Sequence, residues 1–258
     1  MIINKPFIEI RGENTYLISK IYDEVNDIEK EIFFTVPNEY GEYLCYEIAD
    51  CFVVAMLLPA MFSGQNIIVN APISEMLFYQ IENNVTYTLS KVFDKPIIKV
   101  FPESTIIPNF NPTAVATGFS GGVDSFTTLL QHLNDVPNSL KISHLTLFNV
   151  GSYGNVYEKT QRDFLDDLKR AEEFSDRINI PLISISSNFN FFYNNRSDII
   201  FNFSPRVVIS LISGVLCLQK LFKNYFISSG GRIEIIKLDK NDQYYYEWLL
   251  TSFLSNTL

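Results

Sequence analysis

Apolar positions fall along this chain in two rhythms, and the change between them divides it. In residues 1–40 short runs of β-branched and aromatic side chains alternate with turn residues. Phe7–Ile10, Thr15–Ile18 and Ile32–Val36 are predicted strands. Leu44–Phe62 is a long apolar stretch ending at Ser63-Gly64, a natural helix stop, so a buried helix is predicted. Gln65–Asn70 reads as a short buried strand. Ser74 has an N-cap side chain, and Glu75–Phe93 is predicted as an amphipathic helix. Pro96–Phe101 is the last predicted strand of this part. Proline and asparagine then crowd between Pro102 and Pro112, and a domain boundary is expected near residue 110.

Beyond the boundary, strands and helices alternate. Strand Ala114–Gly118 precedes helix Ser125–Leu133, strand His144–Val150 precedes helix Tyr157–Ile178, and strand Leu182–Ser186 precedes helix Pro205–Phe222. Tyr225–Ser228 is a further strand. Such alternation requires crossover connections, so the expected fold class is α/β: a parallel sheet with helices on both faces. The expected domains are a smaller α/β unit at 1–110 and a larger α/β unit at 111–258.

Charge changes the picture in one respect. Residues 1–110 carry 7 basic and 15 acidic side chains, against 13 and 14 in residues 111–258. The first domain is therefore acidic, and the chain lacks the basic footprint of a nucleic-acid binder. The near-neutral second part is compatible with a polyanionic small ligand.

Hydrophobic content of 47% is enough for a real core. The apolar runs Cys51–Phe62 and Val207–Phe222 fall short of the ~20 residues needed to span a bilayer, so no membrane association is expected. Cys45, Cys51 and Cys217 form no Cys-x-x-Cys pair, and His132 and His144 are the only histidines. Neither a zinc site nor a disulfide framework is expected, and each thiol reads as a core residue. Met1–Arg11 lacks signal-peptide character, so the expected location is cytoplasmic.

The most informative stretch is Thr117-Gly118-Phe119-Ser120-Gly121-Gly122-Val123-Asp124-Ser125. It joins a predicted strand to a predicted helix, where unpaired N–H groups and the helix dipole favour an anion. Gly121 and Gly122 let a phosphate approach the backbone, and successive N–H groups can form a nest. Ser120 and Ser125 add hydroxyls, and the Asp124 carboxylate suits a Mg²⁺ ion that bridges phosphates. The lysine of a Walker loop is missing, and so is the Gly-x-Gly-x-x-Gly spacing. The plainer reading is an ordinary glycine turn, which the full run Ser120–Ser125 disfavours.

That run resembles the signature of the PP-loop superfamily, the N-type ATP pyrophosphatases, over about residues 112–230. Within the superfamily the chain is most similar to 7-cyano-7-deazaguanine synthase-like proteins, including a divergent branch with an added N-terminal region and members in antiphage systems. Phe148-Asn149-Val150-Gly151-Ser152, Ile180–Asn188 and Ser228–Gly231 are secondary points of likeness.

The resemblance implies an adenine-nucleotide α-hydrolase-like fold and an ATP-dependent, carbon–nitrogen-bond-forming ligase using ATP and Mg²⁺. Such enzymes cleave ATP to AMP and pyrophosphate and activate a carboxylate or carbonyl oxygen for attack by ammonia or an amine. The implied ATP-binding residues are Thr117–Ser125, Phe148, Asn149, Val150 and Gly230; Arg206, a cation at a predicted helix start where the dipole disfavours it, is a further ATP-binding candidate. Asp124 and Ser125 are the implied catalytic pair, with Asp124 also the Mg²⁺ ligand. The implied partners are ATP, an unidentified small acceptor, and a homo- or hetero-oligomer.

Family members carry a cysteine cluster for zinc near the C-terminus, and this chain has no cysteine after Cys217. Tyr244–Leu250 resembles the start of a helical continuation, and relatives run further. The chain is therefore naturally short, a fragment, or completed by another subunit. The alternative function is a non-catalytic or partner-dependent nucleotide-binding subunit, of the kind found in antiphage defence.

Other residues read more plainly. Arg162 and Arg170 suit surface ion pairs with neighbouring aspartates. His132 suits a structural role, and Phe189–Tyr193 suits packing more than base stacking. Arg196 and Asp198 lie in a polar loop that is equally a lid or an ordinary surface loop.

Overall fold

The computed structural model describes residues 1–154, 157–193, 203–228 and 243–254. Among them, ten strands form one mixed sheet whose hydrogen-bonded order is β10-β7-β8-β9-β4-β3-β1-β5-β6, with β2 paired to β3. The strands are β1 (Ile2–Asn4), β2 (Phe7–Arg11), β3 (Asn14–Asp23), β4 (Ile28–Pro37) and β5 (Ile67–Ser74). They continue with β6 (Val100–Ile106), β7 (Ala114–Gly118), β8 (His144–Asn149), β9 (Leu182–Ser187) and β10 (Phe222–Phe226).

The second half is the parallel block expected from its alternation: β10, β7, β8 and β9 pair in parallel. The first half is mixed. β3 pairs antiparallel with β1, β2 and β4, and β5 pairs parallel with β1 and β6.

The helices are α1 (Asp50–Ser63), α2 (Glu75–Gln80), α3 (Thr86–Phe93), α4 (Val123–Gln131), α5 (Tyr157–Ile178), α6 (Phe203–Leu216) and α7 (Gln243–Leu254). A π-helical turn, Ile81–Val85, joins α2 to α3, so the helix expected from Glu75 to Phe93 is present with an irregular centre. Ser74 caps it as its side chain suggested, accepting from the Leu77 N–H.

Alternation places the helices on opposite faces. Val115, Leu145 and Leu147 pack with Leu129 of α4 and with Phe164 and Ala171 of α5. Ala114, Ala116, Ile183 and Ile185 pack on the other face with α1 and with Val208, Ile209 and Ile212 of α6. Residues Asp50 to Met61 of α1 are all buried. A helix apolar on every side must be covered all round, and a fully buried Leu or Phe contributes about 1.5–3 kcal/mol.

The boundary expected near residue 110 falls in the β6–β7 connection, yet the sheet does not divide there. β4 pairs antiparallel with β9 through Phe34↔Ser187 and Thr35↔Ser186. One apolar core also runs from Met1 to Leu254 through both halves. The Cys45 N–H donates to the Cys217 carbonyl at 2.9 Å, and Lys220 pairs with Glu47 at 2.5 Å. The two halves are therefore fused through a shared sheet and a shared core.

Several element bounds differ from expectation for identifiable reasons. Only Asp50–Ser63 of the stretch from Leu44 is α-helical, because the preceding residues pack against Cys217–Lys220. The last strand of the first half runs over Val100–Ile106 and contains Pro102. It forms the end of the sheet order, where a strand lacking one N–H is tolerated. α6 stops at Leu216 because Phe222 begins β10 in register with Ala114. Cys45, Cys51 and Cys217 are all buried, and burial raises each thiol well above its usual range.

α6 approaches β8 closely at Gly214, where a Cβ would lie 2.8 Å from the Phe148 ring. Alanine there gains about 1 kcal/mol of helix propensity but overpacks this contact by about 1–3 kcal/mol. Gly214→Ala is expected to lower the melting temperature, checked by thermal denaturation.

Candidate functional site

Strand order locates the site before any motif is invoked. From β7 the chain steps to β8 and β9 on one side, then returns through α6 to β10 on the other. β7 therefore sits at a topological switch point. In open α/β sheets the carboxyl end of a strand at such a point is where ligands bind. The loop after β7 is Phe119–Gly122, the stretch singled out in the sequence.

The loop is anchored below and open above. The Phe119 N–H donates to the Thr146 carbonyl at 2.8 Å. Its ring is buried and stacks on Phe174 with centroids 4.6 Å apart, while Phe126 meets both rings edge-on. Phe119 thus fixes the loop to the α4–α5 face. Ser120, Gly121, Gly122, Val123 and Asp124 are all exposed.

Gly121 takes φ +74°, in the left-handed region that suits glycine. Gly122 is the N-cap of α4 and contributes no side-chain cap. The first N–H to find a helical carbonyl is that of Phe126, at 3.1 Å from the Gly122 oxygen. The N–H groups of Val123, Asp124 and Ser125 therefore belong to the helix start, where intrahelical partners do not exist. Backbone donors and the positive helix end converge on an exposed turn, the elementary anion site.

Ser125 is buried, and its hydroxyl donates to the Gly122 carbonyl at 2.7 Å. In this conformation it braces the turn, while Ser120 and Asp124 face solvent. Asp124 is the single carboxylate of the loop, and among the described residues no group of three His, Cys, Asp or Glu side chains is placed to hold a metal.

Below the loop, a polar network crosses three strands. Thr117 Oγ1 donates to the Phe226 carbonyl at 3.0 Å. Tyr225 Oη lies 2.5 Å from Thr146 Oγ1, which donates to the Thr117 carbonyl at 3.3 Å. Burial raises the Tyr225 phenol above its usual range, so it stays protonated. A Cβ on Gly118 would stand 3.4 Å from Tyr225 Oη. The sequence reading missed Tyr225 and Thr146; the available signal was a threonine within an apolar strand.

Phe148, Asn149 and Val150 are buried at the carboxyl end of β8, next to the loop. Arg206 lies in the first turn of α6, 6% exposed. Its Nη2 donates to Asn190 Oδ1 at 3.1 Å, and its guanidinium lies 5.3 Å from the Tyr193 ring centre. Thus β8 and α6 bring Val150 and Arg206 to one small cavity, shared with Gly151, Ser152 and Ser210. Gly230, Arg196 and Asp198 lie outside the described residues.

Arg170 pairs with Asp167 on the surface, and Arg162 is exposed. Phe189, Phe192 and Tyr193 are packed in the core. His132 Nδ1–H donates to the Thr128 carbonyl at 2.8 Å, and the ring packs 3.9 Å from the Phe226 ring centre. No helix among the described residues is long and apolar enough to cross a membrane.

No protein-family model matches this chain, and no curated protein or solved structure matches it at a significant level.

Proposed function

We propose that the chain binds Mg-ATP at Ser120–Ser125 and transfers AMP to an oxygen of a small acceptor, releasing pyrophosphate, as a member of the PP-loop superfamily. The observation that carries this reading is the placement of Ser-Gly-Gly-Val-Asp-Ser at the switch point, with Gly121 at φ +74° and Ser120–Asp124 exposed.

A phosphate seated on that turn meets backbone N–H groups fixed before it arrives. Preorganised donors of this kind stabilise charge that develops on a pyrophosphate leaving group. Ser120 supplies a further donor. The residues present fit a magnesium ion carried in with the nucleotide, because Mg²⁺ is commonly held by one or two carboxylates plus substrate phosphates, and Asp124 is such a carboxylate. The ion would neutralise phosphate charge there. The Tyr225–Thr146–Thr117 network holds β10, β7 and β8 in register beneath the turn. Attack on the activated acceptor by ammonia or an amine, and the likeness to 7-cyano-7-deazaguanine synthases, complete the proposal.

The test is calorimetric titration of the full chain with Mg-ATP, followed by assays for AMP and pyrophosphate, with Asp124→Ala alongside. Saturable binding and AMP formation, both weakened in the variant, are expected. Binding without AMP would make the chain a nucleotide-binding subunit, and no binding would sink the reading.

A further inference from the structure

We infer that the cavity beside β10 is a binding site for a small apolar monocarboxylate, independent of the nucleotide reading. It holds about 560 Å³, within the ~300–1,000 Å³ of small-molecule sites. None of the residues assigned to ATP lines it.

Its walls come from elements far apart in sequence. Ile212, Val215 and Leu216 of α6 and Leu254 of α7 form its buried side. Successive residues from Lys223 to Ile227, in β10 and just beyond it, form another. β10 ends the sheet order among the described strands, so none of those strands covers its outer edge. Met76 and Leu140 complete the lining; they are 46% and 38% exposed and leave apolar surface at the rim. A ligand body seated there takes that surface out of water.

Two polar groups set the chemistry of the ligand. Thr251 Oγ1, on α7, is buried in the wall without a hydrogen-bond partner. A buried hydroxyl is ordinarily paired, and leaving it unpaired costs free energy that a ligand oxygen would recover. Lys223 is the one charged residue on the lining; it is exposed and makes no ion pair among the described residues. An ammonium is a compact point charge, suited to a single anionic group. An apolar wall, one unpaired hydroxyl and one cation fit an aliphatic or aromatic body that carries one carboxylate. A triphosphate would bring charges that this lining does not balance.

The test titrates the full chain by calorimetry with hydrocinnamate and octanoate, and with the uncharged amide of each. Lys223→Gln removes the charge at an exposed position, and Thr251→Val removes the hydroxyl while keeping the branched shape. Circular dichroism establishes that both variants are folded. Saturable binding of at least one carboxylate is expected, about 10-fold tighter than its amide, the usual scale for a charged hydrogen-bond partner. Lys223→Gln should erase that difference and leave the amide affinity unchanged. Thr251→Val should weaken acid and amide alike. It should also raise the melting temperature of the ligand-free protein, because it removes a buried hydroxyl that has no partner. A hydroxyl that served the fold would give the opposite shift.

No saturable binding of either carboxylate overturns the site, and so does a carboxylate affinity that neither variant changes. Equal binding of acid and amide by the wild type overturns the anionic class. Mg-ATP is titrated in parallel. ATP affinity that falls together with carboxylate affinity in Lys223→Gln would make Lys223 part of the nucleotide site and overturn the assignment. Carboxylate binding that depends on Lys223 and Thr251, with or without ATP binding, upholds it.

Discussion

Replacing Asp50 by alanine is expected to destabilise the protein by about 3 kcal/mol or more, because buried donors that lose their acceptor cost about 1–3 kcal/mol each. Asp50 is 1% exposed at the start of α1. Its Oδ1 accepts from the Ser74 N–H at 2.8 Å, and its Oδ2 accepts from Ser74 Oγ at 2.5 Å and Gln219 Nε2 at 3.1 Å. One carboxyl thus ties α1, the entry to α2 and the segment before β10. Alanine would leave those donors buried without it, and the midpoint of urea denaturation should fall accordingly.

The pH dependence has a definite sign. Burial, the largest influence, raises the Asp50 pKa above its usual value of 3.8 despite the three donors. A carboxyl with a raised folded-state pKa stabilises most when both states are protonated. Its contribution is present below about pH 4 and is lost as pH rises through the folded-state value. Asp50→Asn cannot titrate. The stability of wild type relative to Asp50→Asn should therefore decline from pH 4 upward; a difference that grows with pH would overturn the assignment.

Gly121→Val is expected to weaken Mg-ATP binding by about 100-fold or more while leaving the protein folded. At φ +74° a β-branched residue is strained, by about 1–2 kcal/mol for an L side chain in the left-handed region. A Cβ at Gly121 would meet nothing within 4 Å, so no core contact is disturbed. Either the turn keeps its shape and a branched side chain stands where phosphate would rest, or it relaxes and the N–H groups turn away. Two or three charged hydrogen bonds, each worth about 1.5–3 kcal/mol, are at stake. Calorimetry for binding and thermal denaturation for stability separate the two effects. Retained ATP affinity would mean that ATP does not contact this turn.

Much of the local structure was legible in the sequence because it is set by local chemistry. The strand Ala114–Gly118 and the helix Tyr157–Ile178 occupy the expected residues. Ser74 caps as its side chain suggested, and the glycine turn at Gly121-Gly122 opens a helix, which runs over Val123–Gln131, two residues earlier than the expected Ser125–Leu133. Each depends on alternation, periodicity or a capping side chain within a few residues. The α/β class and the parallel order of the second half follow from the same repeating rhythm.

Tertiary structure alone decided how distant segments meet. Apolar alternation marks Thr35 and Ser186 as strand residues, but nothing near either names the other as partner, and their antiparallel pairing fuses the halves into one sheet. Asp50 and Gln219 are 169 residues apart, so the buried tie between them leaves no mark in local pattern. Asn190 on Arg206, and Tyr225 under the loop, are of the same kind. By itself the sequence determined the candidate loop, that a helix follows it, and the strand that presents it. Packing decided what stands around it, because a side chain's distant neighbours are chosen by the shared burial of whole faces and not by the residues beside it in the chain.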